Sequence, residues 1–248
     1  MAGHNKWKQI KRKKAITDSK RASSWTKVIR EITVAAKAGG GDPAGNPRLR
    51  TAIEAAKAVN MPNENIDRAV KKGTGELEGT SYEEHTYEGY GPGGAAIFIE
   101  VTTDNPNRTV AEIRHAFSRN GGNLGATGSV GWMFDKKGQI YLPASLDEDS
   151  VIEAALEAGA EDFAREADQY IVSTPPGALH AVQDALHARQ MPIEAAELAM
   201  VPRNTVKVEG ADAERILRLM EVLEDLDDVS KVFSNFDIDA AQLAEAEA

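Results

Sequence analysis

The sequence of 248 residues contains no cysteine, and this absence removes several kinds of chemistry at once. Disulfide bonds, thiolate metal sites and cysteine nucleophiles are all excluded. A chain without cysteine fits a reducing compartment. We therefore expect a cytoplasmic protein.

Long apolar runs are also missing. No stretch approaches the run of about 20 apolar residues that a membrane-spanning helix needs. The N-terminus lacks the apolar middle of a secretory signal. It is basic and nearly free of acid, as a mitochondrial presequence is, but Trp7 and the dense lysines around it do not form a clean amphipathic face. We expect no contact with a membrane.

Motifs for catalysis or cofactor binding fail on spacing or context. The segment Gly89–Gly94 reads G-x-G-x-x-G, but it precedes a predicted strand, whereas a dinucleotide-binding loop follows one and opens a helix. No Walker A sequence occurs, and the five histidines form no H-E-x-x-H pattern. Gly128–Gly131 lacks the glycine spacing of a nucleophile elbow. We expect a protein that is not an enzyme and has no cofactor, metal or small-molecule substrate.

What the sequence does have is a division of charge. Residues 1–72 carry 17 Lys and Arg against 6 Asp and Glu, a net +11, whereas residues 73–248 carry 12 against 33, a net −21. An acidic body with a basic head is typical of a protein that touches nucleic acid through the head. The alternative is a solvated, disordered tail. Binding is favoured because the basic residues continue into a predicted helix.

The basic head is predicted to contain three short helices. Between Asp18 and Ala38 apolar residues recur at steps of three and four, and Gly39–Gly41 ends this helix. Asn46-Pro47 is a good start for the second helix. Met61–Asn63 separates it from a short third one. Lys71 and Lys72 at the end of the third helix have a simple alternative role, a favourable interaction with the helix dipole.

The acidic body alternates helices and strands. Helix-then-strand pairs recur at Val110–Phe134, Ala178–Val201 and Ala213–Ser234. This order is typical of helices that cover one face of an antiparallel sheet, as in ferredoxin-like units. The body is about long enough for two such units. The sequence therefore predicts an α+β protein, with an N-terminal helical domain followed by two ferredoxin-like α+β domains.

Several local predictions accompany this fold. A helix is expected from Thr109 to Arg119, with Thr109 and Glu112 as a capping box. Gly121-Gly122 is expected to close it, and Gly121–Gly125 is expected to be a tight helix-to-strand passage that requires positive φ. Ser129–Phe134 and Gln139–Leu142 are predicted to be two separate strands.

One polar segment, Asp104–Thr109, lies between a predicted strand and this helix. Turn chemistry accounts for Asn107 and Thr109. It does not account for Arg108. Asn105 and Arg108 are therefore candidates for contact with a phosphate or a protein partner.

Ordered landmarks along the chain carry a resemblance to a known family. They are Gly3–Trp7, Asp42-Pro43, Asn46–Arg50, Asn60–Pro62, Asn65-Ile66, Tyr87–Pro92, Thr103–Asn105, Asn107–Thr109 and Gly128–Val130. With these landmarks the chain resembles the YebC family, which includes bacterial "probable transcriptional regulatory proteins" and a mitochondrial translational activator of cytochrome oxidase. The resemblance spans essentially the whole chain and is strongest before Phe134. Asn5 and Trp25 depart from the residues usual in the family, Ser and Phe, but keep polarity or bulk.

The resemblance implies three domains, the third inserted into the second. We place a basic tail and helical domain at 1–78, a middle α+β domain at 79–134 plus 204–240, an inserted α+β domain at 135–203, and a frayed acidic tail at 241–248. It also implies a regulator of gene expression, with DNA-linked transcription regulation ahead of a translation factor that binds RNA or the ribosome.

The residues assigned to nucleic-acid binding are the cations of the head and one aromatic residue. They are Lys6, Trp7, Lys8, Lys11, Arg12, Lys13, Lys14, Lys20, Arg21, Lys27, Arg30, Arg48 and Arg50. On DNA, the helix bearing Lys20, Lys27 and Arg30 is expected to face the phosphate backbone. On RNA, Lys6–Lys14 would insert and Trp7 would stack on a base. The alternative for Trp7 is a hydrophobic anchor packed on the first helix.

Overall fold

The computed structural model describes residues 18–166 and 168–239, which group into two compact units. Residues 18–133 and 204–239 belong to the first unit, and residues 134–203 to the second. In chain order the elements are α1 (Asp18–Gly39), α2 (Pro47–Ala58), α3 (Asn63–Thr74), β1 (Glu83–Tyr90), β2 (Ala96–Thr103), α4 (Pro106–Arg119), β3 (Asn123–Leu124), β4 (Phe134–Pro143), α5 (Glu148–Glu157), β5 (Asp162–Glu166), β6 (Gln169–Thr174), α6 (Leu179–Ala188), β7 (Ala195–Pro202), β8 (Val206–Lys207), α7 (Gly210–Asp225), β9 (Val229–Ser234) and β10 (Phe236–Asp237). In the part of the chain that is described, no helix is long and apolar enough to cross a membrane.

The head is formed by α1, α2 and α3, which pack around a small apolar core of its own. α2 begins as predicted, because the Asn46 side chain accepts a hydrogen bond from the Leu49 backbone N–H and Pro47 occupies the first turn. α1 and α3 approach closely at Gly73. A Cβ at this position would lie 2.3 Å from the carbonyl oxygen of Thr33 and 2.7 Å from Ala36 Cβ. The contact between the two helices therefore has no room for a side chain at residue 73.

The middle domain is a four-stranded antiparallel sheet with strand order β3-β1-β2-β9. α4 and α7 cover one face of this sheet, and their apolar residues share one core with β2 and β9. The short strands β8 and β10 pair in parallel beside it. Residues 134–203 interrupt the middle domain between β3 and β8.

The second unit has the element order βαββαβ and the strand order β5-β6-β4-β7, with every pair antiparallel. This is the ferredoxin-like arrangement. Its core lies between the sheet and the helices α5 and α6. The predicted fold class, helices followed by α+β domains with antiparallel sheets, is confirmed.

The positive φ expected in the passage Gly121–Gly125 is confirmed at Gly121, where φ is +77°. Two local predictions at other positions are wrong. Residues 129–133 are not part of a strand, because a turn and a three-residue 3₁₀ helix (Gly131–Met133) precede β4, which begins at Phe134 and runs unbroken to Pro143. Thr109 does not cap α4. Asn105 is the cap, and its side chain accepts from the Arg108 backbone N–H.

Candidate nucleic-acid interface

Most of the predicted binding residues near the N-terminus lie outside the described residues. These are Lys6, Trp7, Lys8, Lys11, Arg12, Lys13 and Lys14. The backbone of Lys20 and Arg21 belongs to α1, and their side chains are outside the description as well. A role in nucleic-acid binding stays a prediction for all of them.

Lys27 of α1 is directed at the C-terminal end of α7. Its Nζ donates a hydrogen bond to the carbonyl oxygen of Glu224. The last carbonyls of a helix have no partner within the helix and form the negative end of its dipole, so an ammonium group is favourable there. The sequence predicts that Lys27 faces phosphate, whereas the structure shows it bound to the middle domain.

Arg30, one turn further along α1, is also held by the middle domain. Its Nη1 lies 2.8 Å from Oδ1 of Asp228 and also donates to the carbonyl oxygen of Asp227. Its guanidinium carbon is 5.5 Å from the centroid of the Tyr82 ring, within the range of a cation–π contact. Only 13% of the Arg30 side chain is exposed. Arg30 is therefore part of the contact between the head and the middle domain.

Asp228 receives hydrogen bonds on its second carboxylate oxygen too. Oδ2 accepts from Arg108 Nη2 at 2.6 Å, from Thr109 Oγ1 at 2.6 Å and from Thr103 Oγ1 at 3.0 Å. Burial raises the pKa of Asp228, but these donors and the charge of Arg30 outweigh it and hold the pKa below its ordinary value. The side chain of Asp228 thus stays ionised although only 3% of it is exposed.

This network explains the polar segment Asp104–Thr109. The Asn105 backbone N–H donates to Thr103 Oγ1 at 2.9 Å, while the Asn105 side chain caps α4. Arg108 also pairs with Asp104, 2.9 Å away. Thr109, which is fully buried, donates a hydrogen bond to the Asp228 carboxylate. Asn105 and Arg108 thus have a role inside the chain, and the partner contact expected for them stays a prediction.

Arg48 and Arg50 of α2 have different surroundings. Arg48 forms a two-point ion pair with Glu31 of α1, at 2.8 and 3.1 Å, and a second with Glu84 of β1. Hydrogen bonding to Glu84 and Glu31 raises the pKa of Arg48 above its ordinary value. Arg50 is half-buried, and its Nε has no hydrogen-bond partner among the described residues. Arg48 therefore joins α2 to β1.

A basic face on α3 was missed at the sequence level. Arg68, Lys71 and Lys72 are exposed and lie at positions i, i+3 and i+4, so they share one side of the helix. Ile66 and Ala69 are buried on the opposite side. None of the three cations forms an ion pair with a described residue. The i, i+3, i+4 spacing of these cations is visible in the sequence. It was not interpreted as a basic face, because an interaction with the helix dipole already accounted for Lys71 and Lys72.

Comparisons with known proteins agree over the full length of the chain. Residues 5–76 match the family model described as the TACO1/YebC protein N-terminal domain, and residues 82–236 match the TACO1/YebC second and third domain. A "probable transcriptional regulatory protein" of Gemmatimonas aurantiaca is 59% identical over 247 residues, covering 99% of this chain and 100% of the relative. A protein of the same name from Citrifermentans bemidjiense is 55% identical over 98% of each chain. Among solved structures, a conserved hypothetical protein of Aquifex aeolicus matches with a TM-score of 0.83 at 48% identity, over 90% of this chain and 92% of that one.

Proposed function

Because the chain belongs to the TACO1/YebC family, we propose that it regulates gene expression by binding nucleic acid through its basic head, and that it is not an enzyme. Relatives that match nearly the whole chain carry the name "probable transcriptional regulatory protein". The observation that carries the proposal is the concentration of positive charge in the head, which includes the exposed cations of α3 that form no ion pair with a described residue.

Charge determines which part of the molecule meets the ligand. Residues 73–248 carry a net charge of −21, so their surface repels phosphate. The cations of the head remain to attract it, among them the tail cations and Arg68, Lys71 and Lys72. Such contacts go mainly to the phosphate backbone and carry little sequence information.

DNA is the first candidate ligand, since the names of the relatives refer to transcription. A recognition helix that reads bases is not part of this proposal, because Lys27 and Arg30 commit one side of α1 to the middle domain. That arrangement favours binding to the phosphate backbone of the DNA rather than to its bases. It also supports the second candidate, a translation factor that binds structured RNA or the ribosome.

Salt titrations of affinity test the proposal. We would measure binding to duplex DNA and to a structured RNA for the wild type, for Lys11, Arg12, Lys13 and Lys14 changed together to Glu, and for Arg68, Lys71 and Lys72 changed together to Glu. Each lost phosphate contact should reduce the slope of log K against log salt by about 0.9 on duplex DNA. We expect weaker binding and a flatter slope for both variants.

A matched control reverses three exposed cations of the acidic body, Arg114, Arg119 and Arg218, to Glu. It changes the net charge by the same amount as the α3 variant and should leave the slope unchanged. An equal loss in this control would show that net charge, and not the head, governs binding. Crosslinking in cells, followed by sequencing, then separates the two candidates, because chromosomal DNA supports the first and ribosomal or messenger RNA the second.

A further inference from the structure

Two aromatic side chains of the middle domain are left exposed at one end of β1. Trp132 is 64% exposed and Tyr90 is 37% exposed. Aromatic rings supply large apolar areas, and a folded protein normally buries most of them. An exposed pair in one place is typical of a binding surface.

Both rings are held by a single acceptor. The carbonyl oxygen of Ser129 accepts a hydrogen bond from Tyr90 Oη at 3.1 Å and from Trp132 Nε1 at 3.2 Å. The polar atom of each ring therefore has a partner within the chain. What remains exposed is apolar ring surface, fixed in orientation before any ligand arrives.

The loop that carries Ser129 and Trp132 is itself fixed by a buried carboxylate. Glu88 of β1 accepts hydrogen bonds from the backbone N–H groups of Gly128, Val130 and Gly131, at 2.8, 2.7 and 2.7 Å. Val130, in the same loop, is fully buried. Ordering of the site on binding should therefore cost little, because the loop is held in place in the free protein.

The aromatic pair lies on the same side of β1 as the contact with the head. Tyr87 and Gly89 face the core and α4, since Tyr87 packs on the core and a Cβ at Gly89 would lie 2.8 Å from Phe117. Residues alternate along a strand, so Glu84 and Tyr90 share the opposite side. Glu84 binds Arg48 of the head, and about 20 Å of strand separates it from Tyr90.

We propose that Tyr90 and Trp132 form a stacking site for an unpaired base of single-stranded nucleic acid whose phosphates are held by the head. This inference rests on the function proposed above. The body repels phosphate but not an uncharged base, so a base is the part of the ligand that suits this position. Stacking on aromatic rings is the usual way in which proteins hold unpaired bases, and it tolerates any sequence.

The test compares single-stranded and duplex ligands with the full chain. We would measure the affinity of an unstructured RNA, a DNA of the same sequence and the corresponding blunt duplex for the wild type, Trp132→Ala and Trp132→Phe. Loss of one stacking ring should weaken single-strand binding about tenfold. Duplex binding should not change, and Trp132→Phe should retain most of the affinity because a ring remains. Val222→Ala, at a residue that is 38% exposed on α7, is the control and should have no effect.

The outcomes separate this inference from the function on which it rests. If Trp132→Ala leaves single-strand affinity intact, or lowers single-strand and duplex affinity equally, the stacking site is wrong while binding through the head stands. The same holds if the wild type binds duplex but no single strand. If the wild type binds no nucleic acid at all, both proposals fail. Thermal unfolding of each variant checks that the fold is retained, which we expect because Trp132 is mostly exposed.

Discussion

The guanidinium of Arg30 in the head and the carboxylate of Asp228 in the middle domain lie 2.8 Å apart, with 13% and 3% of their side chains exposed. A buried guanidinium needs a carboxylate beside it, because its charge would otherwise be left uncompensated away from water. This pair is reinforced on the Asp228 side by Arg108, Thr103 and Thr109. It joins α1 to the loop between α7 and β9.

Replacement of Asp228 by alanine should destabilise the protein strongly. The change leaves Arg30 without its carboxylate and removes the acceptor of two buried hydroxyl groups. We expect the free energy of unfolding to fall by about 2–4 kcal/mol, somewhat less than for a fully buried pair because Arg108 is partly exposed. Urea denaturation measures this loss. Asp104→Ala, which removes the exposed partner of Arg108, is the control and should cost less than about 1 kcal/mol. Equal effects of the two substitutions would contradict a central role for Asp228.

Acid should weaken the fold through Glu88 as well as Asp228. Burial raises the pKa of Glu88, but its three backbone N–H donors outweigh it and hold the pKa below the ordinary value. A carboxyl whose pKa is lower in the folded state stabilises the protein fully above its unfolded pKa of about 4.3 and loses that contribution as the pH falls further. We therefore expect Glu88→Gln to reduce stability at pH 7 and to make the loss of stability below about pH 4 shallower.

Chemical denaturation across pH 2–7 measures this prediction. Glu112→Gln, at an exposed position on α4, is the matched control and should leave the acid profile unchanged. An unchanged profile in Glu88→Gln would mean that the loop above β1 does not depend on the charge of that carboxylate.

Removal of the second unit should leave the rest of the chain folded. The core of the middle domain draws on β2, α4, α7 and β9, and none of the described residues of 134–203 belongs to it. Replacement of residues 136–203 by a short Gly/Ser bridge should therefore leave the head and the middle domain folded, with one cooperative thermal transition. A chain of this kind without any cooperative unfolding would contradict the proposal that 135–203 is an independent inserted domain.

The sequence predicted those features of the fold that depend on interactions between neighbouring residues. Asn46-Pro47 predicted the start of α2 because a side-chain cap and a proline act within one turn. β1 was missed, because its sequence is rich in glutamate and only Tyr87 and Gly89 face the core. Its buried Glu88 depends on a loop that lies some 40 residues further along the chain.

The contacts of α1 were also hard to predict, because they depend on residues that are distant in sequence. Lys27 and Arg30 are on the polar side of an amphipathic helix, and such a side normally faces solvent. Here it meets the acidic middle domain, with partners 197 and 198 residues away in sequence. The family resemblance implied three domains, and it implied nothing about this contact. The basic face of α3 needed only local spacing and could have been found.

The contacts of α1 with the middle domain differ in how they tolerate change of sequence. Lys27 binds the carbonyl oxygen of residue 224, and Arg30 binds that of residue 227 as well as the Asp228 side chain. A carbonyl oxygen is present whatever the side chain, so Glu224 and Asp227 can be exchanged for other residues without removing those acceptors. Of these three acceptors, the carboxylate of residue 228 is the one that depends on the type of side chain, and it serves the cations at 30 and 108 together.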